Sequence, residues 1–318
     1  MPINDPFIWV RAVHFAATIL VSGVMLFGVF IAEPAFRKAG GLTQLSAVVR
    51  LRLAWLSWIA LVVVVISGTA WLFYVAAQMA DLPLGQTLTD PAVWTALTQT
   101  DFGNVWTVRL VLAGVVAISF CPMSIGRPNE ARFLNILVAA GLVGTLAWSG
   151  HAVGGTGLGG AVHLASDILH LVAAAAWLGA LLPLAVVLRV TMQSLDAKSI
   201  VIARDAVLRF STLGIASVST LLATGIINSW MLVGSITALV GTNYGHLLLV
   251  KIALFFCMVA VAGINRLILT PRLMRAQSAT AQFSVHQIGT NSLIEVGVGA
   301  AILLVVGALG ILQPGTDG

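Results

Sequence analysis

Long uninterrupted apolar segments constrain the fold of this chain more than any other feature. Eight of them are long enough, at about 18 residues or more, to cross a hydrocarbon core as helices. Only 8% of the 318 residues are charged, whereas soluble domains carry about a quarter. We therefore predict an all-α integral membrane protein with one transmembrane domain over residues 1–318. The predicted spans are about 7–32, 53–78, 104–121, 133–150, 163–188, 210–233, 246–265 and 289–312.

The basic residues indicate how these spans are oriented. Sixteen Lys and Arg residues are present, and only Arg11, Arg109 and Lys251 fall within spans, near one end. The others lie in or beside the connections at the opposite end. Loops rich in Lys and Arg remain in the cytoplasm, so both termini are predicted to face outward. The net charge of +5 is accordingly a topology signal and does not indicate nucleic-acid binding.

The two halves of the chain, about 1–152 and 153–318, share residue spacings. His14 precedes Gly23 by nine residues, and His170 precedes Gly179 by the same number. Four spans per half make both copies enter the membrane in the same direction, so we predict two parallel four-helix repeats. Further matched spacings relate Arg52 to Gly68 and Arg209 to Gly225, and Gly103 to Arg109 and Gly245 to Lys251.

Five of the six histidines cluster at the predicted outer ends of spans. Imidazole is costly to bury without a partner and is the commonest side-chain ligand for transition metals. His163, Asp167 and His170 are spaced i, i+4, i+7, which places them on one stripe of a helix. A carboxylate inside a span usually marks a bound ion or a pathway. The candidate ligands are His14, His151, His163, Asp167, His170 and His246.

Two other roles for these residues stay open. Asp167 and a histidine can form a structural pair between helices, and Asp167 can orient a ligating imidazole instead of binding the metal itself. We expect His14 and His170 to face each other below the outer boundary and to share one bound ion, with Asp167 beside them. On facing helices the same pair can also serve as axial ligands of haem b. Weaker candidates for ligands or proton carriers are Met25, Cys121, Cys257 and Glu295.

Three segments resemble the CopD copper-resistance family of bacterial inner-membrane proteins. They are Trp9-Val-Arg-Ala-Val-His14-Phe, Trp148-Ser-Gly-His151-Ala, and His163-Leu-Ala-Ser-Asp167-Ile-Leu-His170 leading to Trp177-Leu-Gly179. The resemblance extends through most of the chain. It implies copper as the bound ion, whereas the spacings alone imply only a set of imidazole ligands.

The resemblance also implies a function. Members of the CopD family are described as moving copper from the periplasm toward the cytoplasm, often beside a small periplasmic copper-binding protein of the CopC type. We therefore expect a copper-binding, multi-pass inner-membrane protein that contacts lipid and is not an enzyme, with a separate CopC-like protein as a possible partner. The alternatives are a bis-histidine haem b electron carrier and a copper-binding membrane subunit without transport.

Overall fold

The computed structural model describes residues 5–41, 43–120, 129–150, 157–194, 196–276 and 278–314, which form helices and connecting turns. His151 and Cys121 lie outside these ranges. The longer helices are α1 (Pro6–Phe27), α3 (Gln44–Ala80), α6 (Asp101–Ser119), α7 (Asn129–Gly144), α8 (Gly157–Gln193), α9 (Ala197–Val233), α11 (Asn243–Ile264) and α13 (Ser278–Leu309). The short helices are α2 (Glu33–Lys38), α4 (Leu84–Thr87), α5 (Ala92–Thr98), α10 (Ile236–Gly241) and α12 (Thr270–Arg275).

Within the described residues, seven helices are long and apolar enough to cross a membrane. The predicted span at 133–150 has a different form, because α7 ends at Gly144 and the chain continues as a 3₁₀ helix over Thr145–Ser149. This tighter winding brings the side chains of Thr145 and Ser149 to a neighbouring helix, as described below. The eighth span, the two repeats and the outward termini stay predictions.

Several helices begin earlier than the apolar segments predict. Helix α3 starts at Gln44, where Thr43 and Ser46 cap each other's backbone N–H groups. Helix α9 starts at Ala197, where the Asp196 side chain accepts from the backbone N–H of Ser199. Hydropathy detects only the apolar part of a helix, whereas these caps start the helices earlier, in sequence that contains basic residues.

Helices α1 and α8 form the centre of the bundle. Most residues in the apolar part of each helix are buried, and the two helices cross where Gly23 contacts the backbone of Gly179. A β-carbon at Gly23 would lie only 2.5 Å from the Cα atom of Gly179, so the close approach requires glycine. Because His14 and His170 each precede their glycine by nine residues, the crossing sets them at a similar depth on adjacent helices.

Two membrane helices contain π-helical turns before a proline. Residues Gly28–Ala32 precede Pro34, and Asn265–Leu269 precede Pro271. Proline lacks an N–H and its ring clashes with the carbonyl group four residues earlier. The wider turns accommodate this defect while the helices continue, and the second turn directs Asn265 toward α13.

Candidate functional site

His14 lies fully buried in the first half of the bundle, with both ring nitrogens occupied. Its Nδ1 atom lies 3.0 Å from the Ser67 hydroxyl of α3, and that hydroxyl donates to the Val63 carbonyl at 2.5 Å. The Ser67 oxygen therefore accepts from Nδ1–H. This assigns a neutral imidazole with its lone pair on Nε2. The edges of Trp71 and Trp106 enclose the ring.

The Nε2 lone pair of His14 accepts from Arg109. Nη1 of Arg109 lies 2.9 Å from Nε2, and the same guanidinium donates to the Thr145 hydroxyl and carbonyl, each at 3.0 Å, and to the Ser149 hydroxyl at 3.2 Å. Arg109 is 1% exposed. In this conformation a guanidinium group therefore takes the position that a metal would need at His14.

His170 repeats the first of these contacts in the second half. Its Nδ1 atom lies 2.9 Å from the Thr224 hydroxyl of α9, which itself donates to the Thr220 carbonyl at 2.6 Å. Thr224 therefore accepts from Nδ1–H, and the lone pair of His170 lies on Nε2. Among the described residues, none hydrogen-bonds to that Nε2 atom. His170 thus has a ligating nitrogen available, in contrast to His14.

Asp167 lies one helical turn before His170 and is half-buried. The side-chain amide of Asn228 donates to its Oδ1 atom at 3.3 Å. Lys251 of α11 lies within electrostatic reach of both Asp167 and His170. The second half therefore brings together a carboxylate and an imidazole nitrogen with a lysine nearby, although no ion pair joins Asp167 to a basic side chain among the described residues.

The other predicted ligands are less closely connected. His163 is buried on α8, the same helix that carries Asp167 and His170. His246 is exposed, and its Nε2 atom lies 2.8 Å from the Val240 carbonyl. His151 falls in the part of the chain that the structure does not describe. Within the described residues, no three His, Cys, Asp or Glu side chains are grouped to hold a metal.

His14 and His170 contact different helices. The partners of His14 lie on α3 and α6, and those of His170 lie on α9. Among the described residues, no hydrogen bond or ring contact joins the two histidines. A single copper ion or haem clamped between them has no support from these contacts, and the shared site stays a prediction.

Sequence reasoning missed the hydroxyl partners of both histidines. Ser67 and Thr224 each precede the glycine that the repeat spacing had already matched, Gly68 or Gly225. The position of each hydroxyl residue, immediately before a matched glycine, was the signal that could have identified these partners. The significance of Arg109 was also missed, because its contacts depend on the 3₁₀ turn that ends in Ser149.

Two family models match the chain. The model described as "Copper resistance protein D-like, N-terminal domain" matches residues 3–161, and "Copper resistance protein D" matches residues 204–309. The first match includes His14, Arg109 and His151. The second includes Thr224, His246 and Lys251. His163, Asp167 and His170 fall between the two matches.

Curated relatives extend over nearly the whole chain. "Inner membrane protein YebZ" of Escherichia coli (strain K12) is 32% identical, covering 97% of this chain and 99% of its own length. "Copper resistance protein D" of Pseudomonas syringae pv. tomato is 28% identical, covering 98% of each chain. "Copper transport protein CutJ" of Bacillus subtilis (strain 168) is 28% identical over 54% of this chain and 31% of its own. No solved structure matches the chain.

Proposed function

This chain belongs to the copper resistance protein D family of multi-pass inner-membrane proteins, and from that premise we propose that it binds copper and moves it from the periplasm toward the cytoplasm. The observation that carries the proposal is the arrangement of Asp167 and His170 on one face of α8, with the His170 Nε2 atom available. Copper is the transported ion in this proposal, and the protein's own side chains supply the ligands.

The hydroxyl of Thr224 determines which ring nitrogen of His170 is available to bind copper. By accepting from Nδ1–H at 2.9 Å, it holds the imidazole in one tautomer and one orientation. The nitrogen that remains carries a lone pair, and neutral imidazole is a good ligand for copper. A ligand fixed in advance does not have to be ordered when the ion arrives, so its contribution to affinity is larger.

Asp167 and Lys251 supply the charge balance of this site. A carboxylate in a membrane is costly when it is unpaired, and Lys251 lies within electrostatic reach of Asp167. An arriving copper ion supplies a second positive charge beside Asp167 and competes with the ammonium group for it. We infer that this competition keeps the bound ion exchangeable, as transport requires.

The remaining predicted ligands have secondary places in the proposal. His163, His246 and His151 are proposed as ligands that copper meets before or beside the Asp167–His170 site. His14 can bind copper only after Arg109 leaves its Nε2 atom. A periplasmic copper-binding protein of the CopC type is the proposed donor of the ion.

Copper affinity of the purified full chain tests the site, measured by competition with a chromophoric Cu(I) chelator. We expect His170→Ala and Asp167→Asn to weaken binding by about tenfold or more, since loss of a ligand or of its orienting group has effects of this size. His286→Ala is the matched control, because it removes an exposed imidazole from the first part of α13. Wild-type affinity in His170→Ala would overturn the site.

Copper uptake tests the transport step separately. Proteoliposomes that contain a copper-sensitive dye should report uptake by the wild-type chain and slower uptake by His170→Ala. Binding without uptake would favour the alternative of a copper-holding subunit. An intense Soret band in the spectrum of the purified protein would favour the haem alternative.

A further inference from the structure

A second polar cluster lies toward the basic end of the bundle, away from the histidines. Three side chains form a hydrogen-bonded chain between the π-helical turn after α11 and helix α13. The amide of Asn291 donates to the Asn265 Oδ1 atom at 2.8 Å, and the amide of Asn265 donates to the Glu295 Oε1 atom at 2.8 Å. Asn291 and Glu295 are spaced i, i+4 on α13 and therefore face the same neighbour.

The carboxyl group of Glu295 is only partly satisfied. Glu295 is 1% exposed, and its Oε2 atom is buried without a hydrogen-bond partner among the described residues. Among all the residues that the structure describes, the ion pairs involve Glu33 and Asp205, and none involves Glu295. An ionised carboxylate without a cation partner is costly within a membrane, and such residues usually have a function.

This carboxyl group lines a cavity of about 210 Å³. The cavity lies between α9, α11 and α13, and Trp177 of α8 forms part of its wall. Most of the lining is apolar, so water in this cavity depends on the polar side chains of its wall, which include Glu295, Asn265 and Ser292. Arg266 is the other charged residue on the wall, and its guanidinium donates to the carbonyl and hydroxyl oxygens of Ser211 at 3.2 and 2.6 Å.

The π-helical turn over Asn265–Leu269 helps to build the cluster. The Thr270 hydroxyl donates to the Asn265 carbonyl at 2.8 Å, across the wide turn. Turns of this kind inside α-helices occur frequently at functional sites. Here the turn places Asn265 and Arg266 on the wall of the cavity and also brings the Asn265 amide to Glu295.

We propose that Glu295 is an intramembrane proton-binding site that exchanges its proton through this cavity. The O–H bond of the carboxyl group breaks, the proton passes to water in the cavity, and the amide of Asn265 stabilises the carboxylate that remains. Charge balance is the main argument for this exchange, since Glu295 lacks a permanent cation partner among the described residues.

A proton fits this site better than a metal ion. Ca²⁺ takes six to eight oxygen ligands and Mg²⁺ six, whereas the three side chains of the cluster have fewer oxygen atoms, and the amide oxygen of Asn265 already accepts from Asn291. Copper(I) favours sulfur and imidazole ligands, and the described lining contains neither.

Infrared spectroscopy of the copper-free full chain tests this proposal. A protonated carboxyl group has a carbonyl stretch that disappears when the proton leaves. We expect a band that titrates with pH in the wild type, is lost in Glu295→Gln and is retained in Asp167→Asn. Asp167→Asn is the matched control, because it removes another carboxyl group placed within a membrane helix. The absence of copper separates this result from the proposed copper site.

The other variants test the geometry. Asn265→Leu removes the N–H that stabilises the carboxylate, so the titration midpoint of the band should move to higher pH. Glu295→Asp preserves a titratable group if Glu295→Gln does not fold, and it should shift the band. Identical spectra for Glu295→Gln and the wild type at every pH would overturn the proposal. A Glu295-dependent band that sodium or copper removes at constant pH would also overturn it, in favour of a cation site.

Discussion

The two glycines that follow the hydroxyl partners of the histidines provide a matched test of the geometry around each ring. We compare Gly68→Ala on α3 with Gly225→Ala on α9. A β-carbon at Gly68 would overlap the indole ring of Trp106 and lie 3.1 Å from the His14 Cε1 atom. A β-carbon at Gly225 would lie 3.7 Å from the His170 Cε1 atom, which is an ordinary contact.

The two substitutions have the same effect on helix propensity and differ in the cost of packing the added methyl group. Replacing a helical glycine by alanine favours the helix by about 1 kcal/mol in both cases. Forcing an extra methyl group into a packed region costs about 1–3 kcal/mol, and only Gly68→Ala incurs this cost, because Trp106 is 3% exposed and has no room to move. The free energies of unfolding of the two variants should therefore differ by about 1–3 kcal/mol, with Gly225→Ala the more stable.

The free energy of unfolding is measured by SDS titration of the purified protein, monitored by tryptophan fluorescence. Gly225→Ala should be at least as stable as the wild type, and Gly68→Ala less stable. Equal stability of the two variants would refute the close packing of Trp106 against α3. A greater loss in Gly225→Ala would refute the assigned environment of His170.

Three other substitutions test contacts elsewhere in the bundle by the same unfolding assay or by copper competition. Gly23→Ala should destabilise the protein by about 1–3 kcal/mol because α1 and α8 can no longer touch, whereas Gly114→Ala, with open space around it, should not; equal losses would contradict the crossing. Asp205→Asn should cost about 1 kcal/mol, since its two partners, Lys38 and Arg209, are 59% and 41% exposed, and high salt should reduce the difference. Cys257→Ser should leave copper affinity unchanged because Cys257 is exposed on α11; a tenfold loss would instead support a thiol relay.

Hydropathy predicted the apolar middle of the long helices, but it did not predict where those helices begin and end. The start of α9 at Ala197 depends on the Asp196 cap, and a scale that averages hydrophobicity does not detect a cap. At the end of α7 the apolar segment is longer than the α-helix. Its apolar segment continues to 150, but the backbone changes to a 3₁₀ helix after Gly144. Composition does not distinguish these two kinds of helix.

The candidate site was predictable in its residue types and not in its pairings. Buried imidazoles within a membrane require partners, so the histidines were visible from sequence. Their partners Ser67 and Thr224 are small hydroxyl residues, which occur throughout membrane helices and also bond to their own backbone. Which of them faces a histidine depends on how the helices are rotated, and a single sequence contains little information about rotation.

The chemistry of Arg109 and Lys251 explains why the first and second halves of the chain can have different roles. The guanidinium of Arg109 is a rigid fork with five donors, so it binds His14, Thr145 and Ser149 at the same time and holds three helical segments together. Lys251, its counterpart by spacing, has a compact ammonium group on a flexible stem and is less suited to such a junction. Arg109 is therefore suited to a fixed structural junction in the first half, whereas ion exchange at Asp167 and His170 in the second half is the proposal that the copper measurements test.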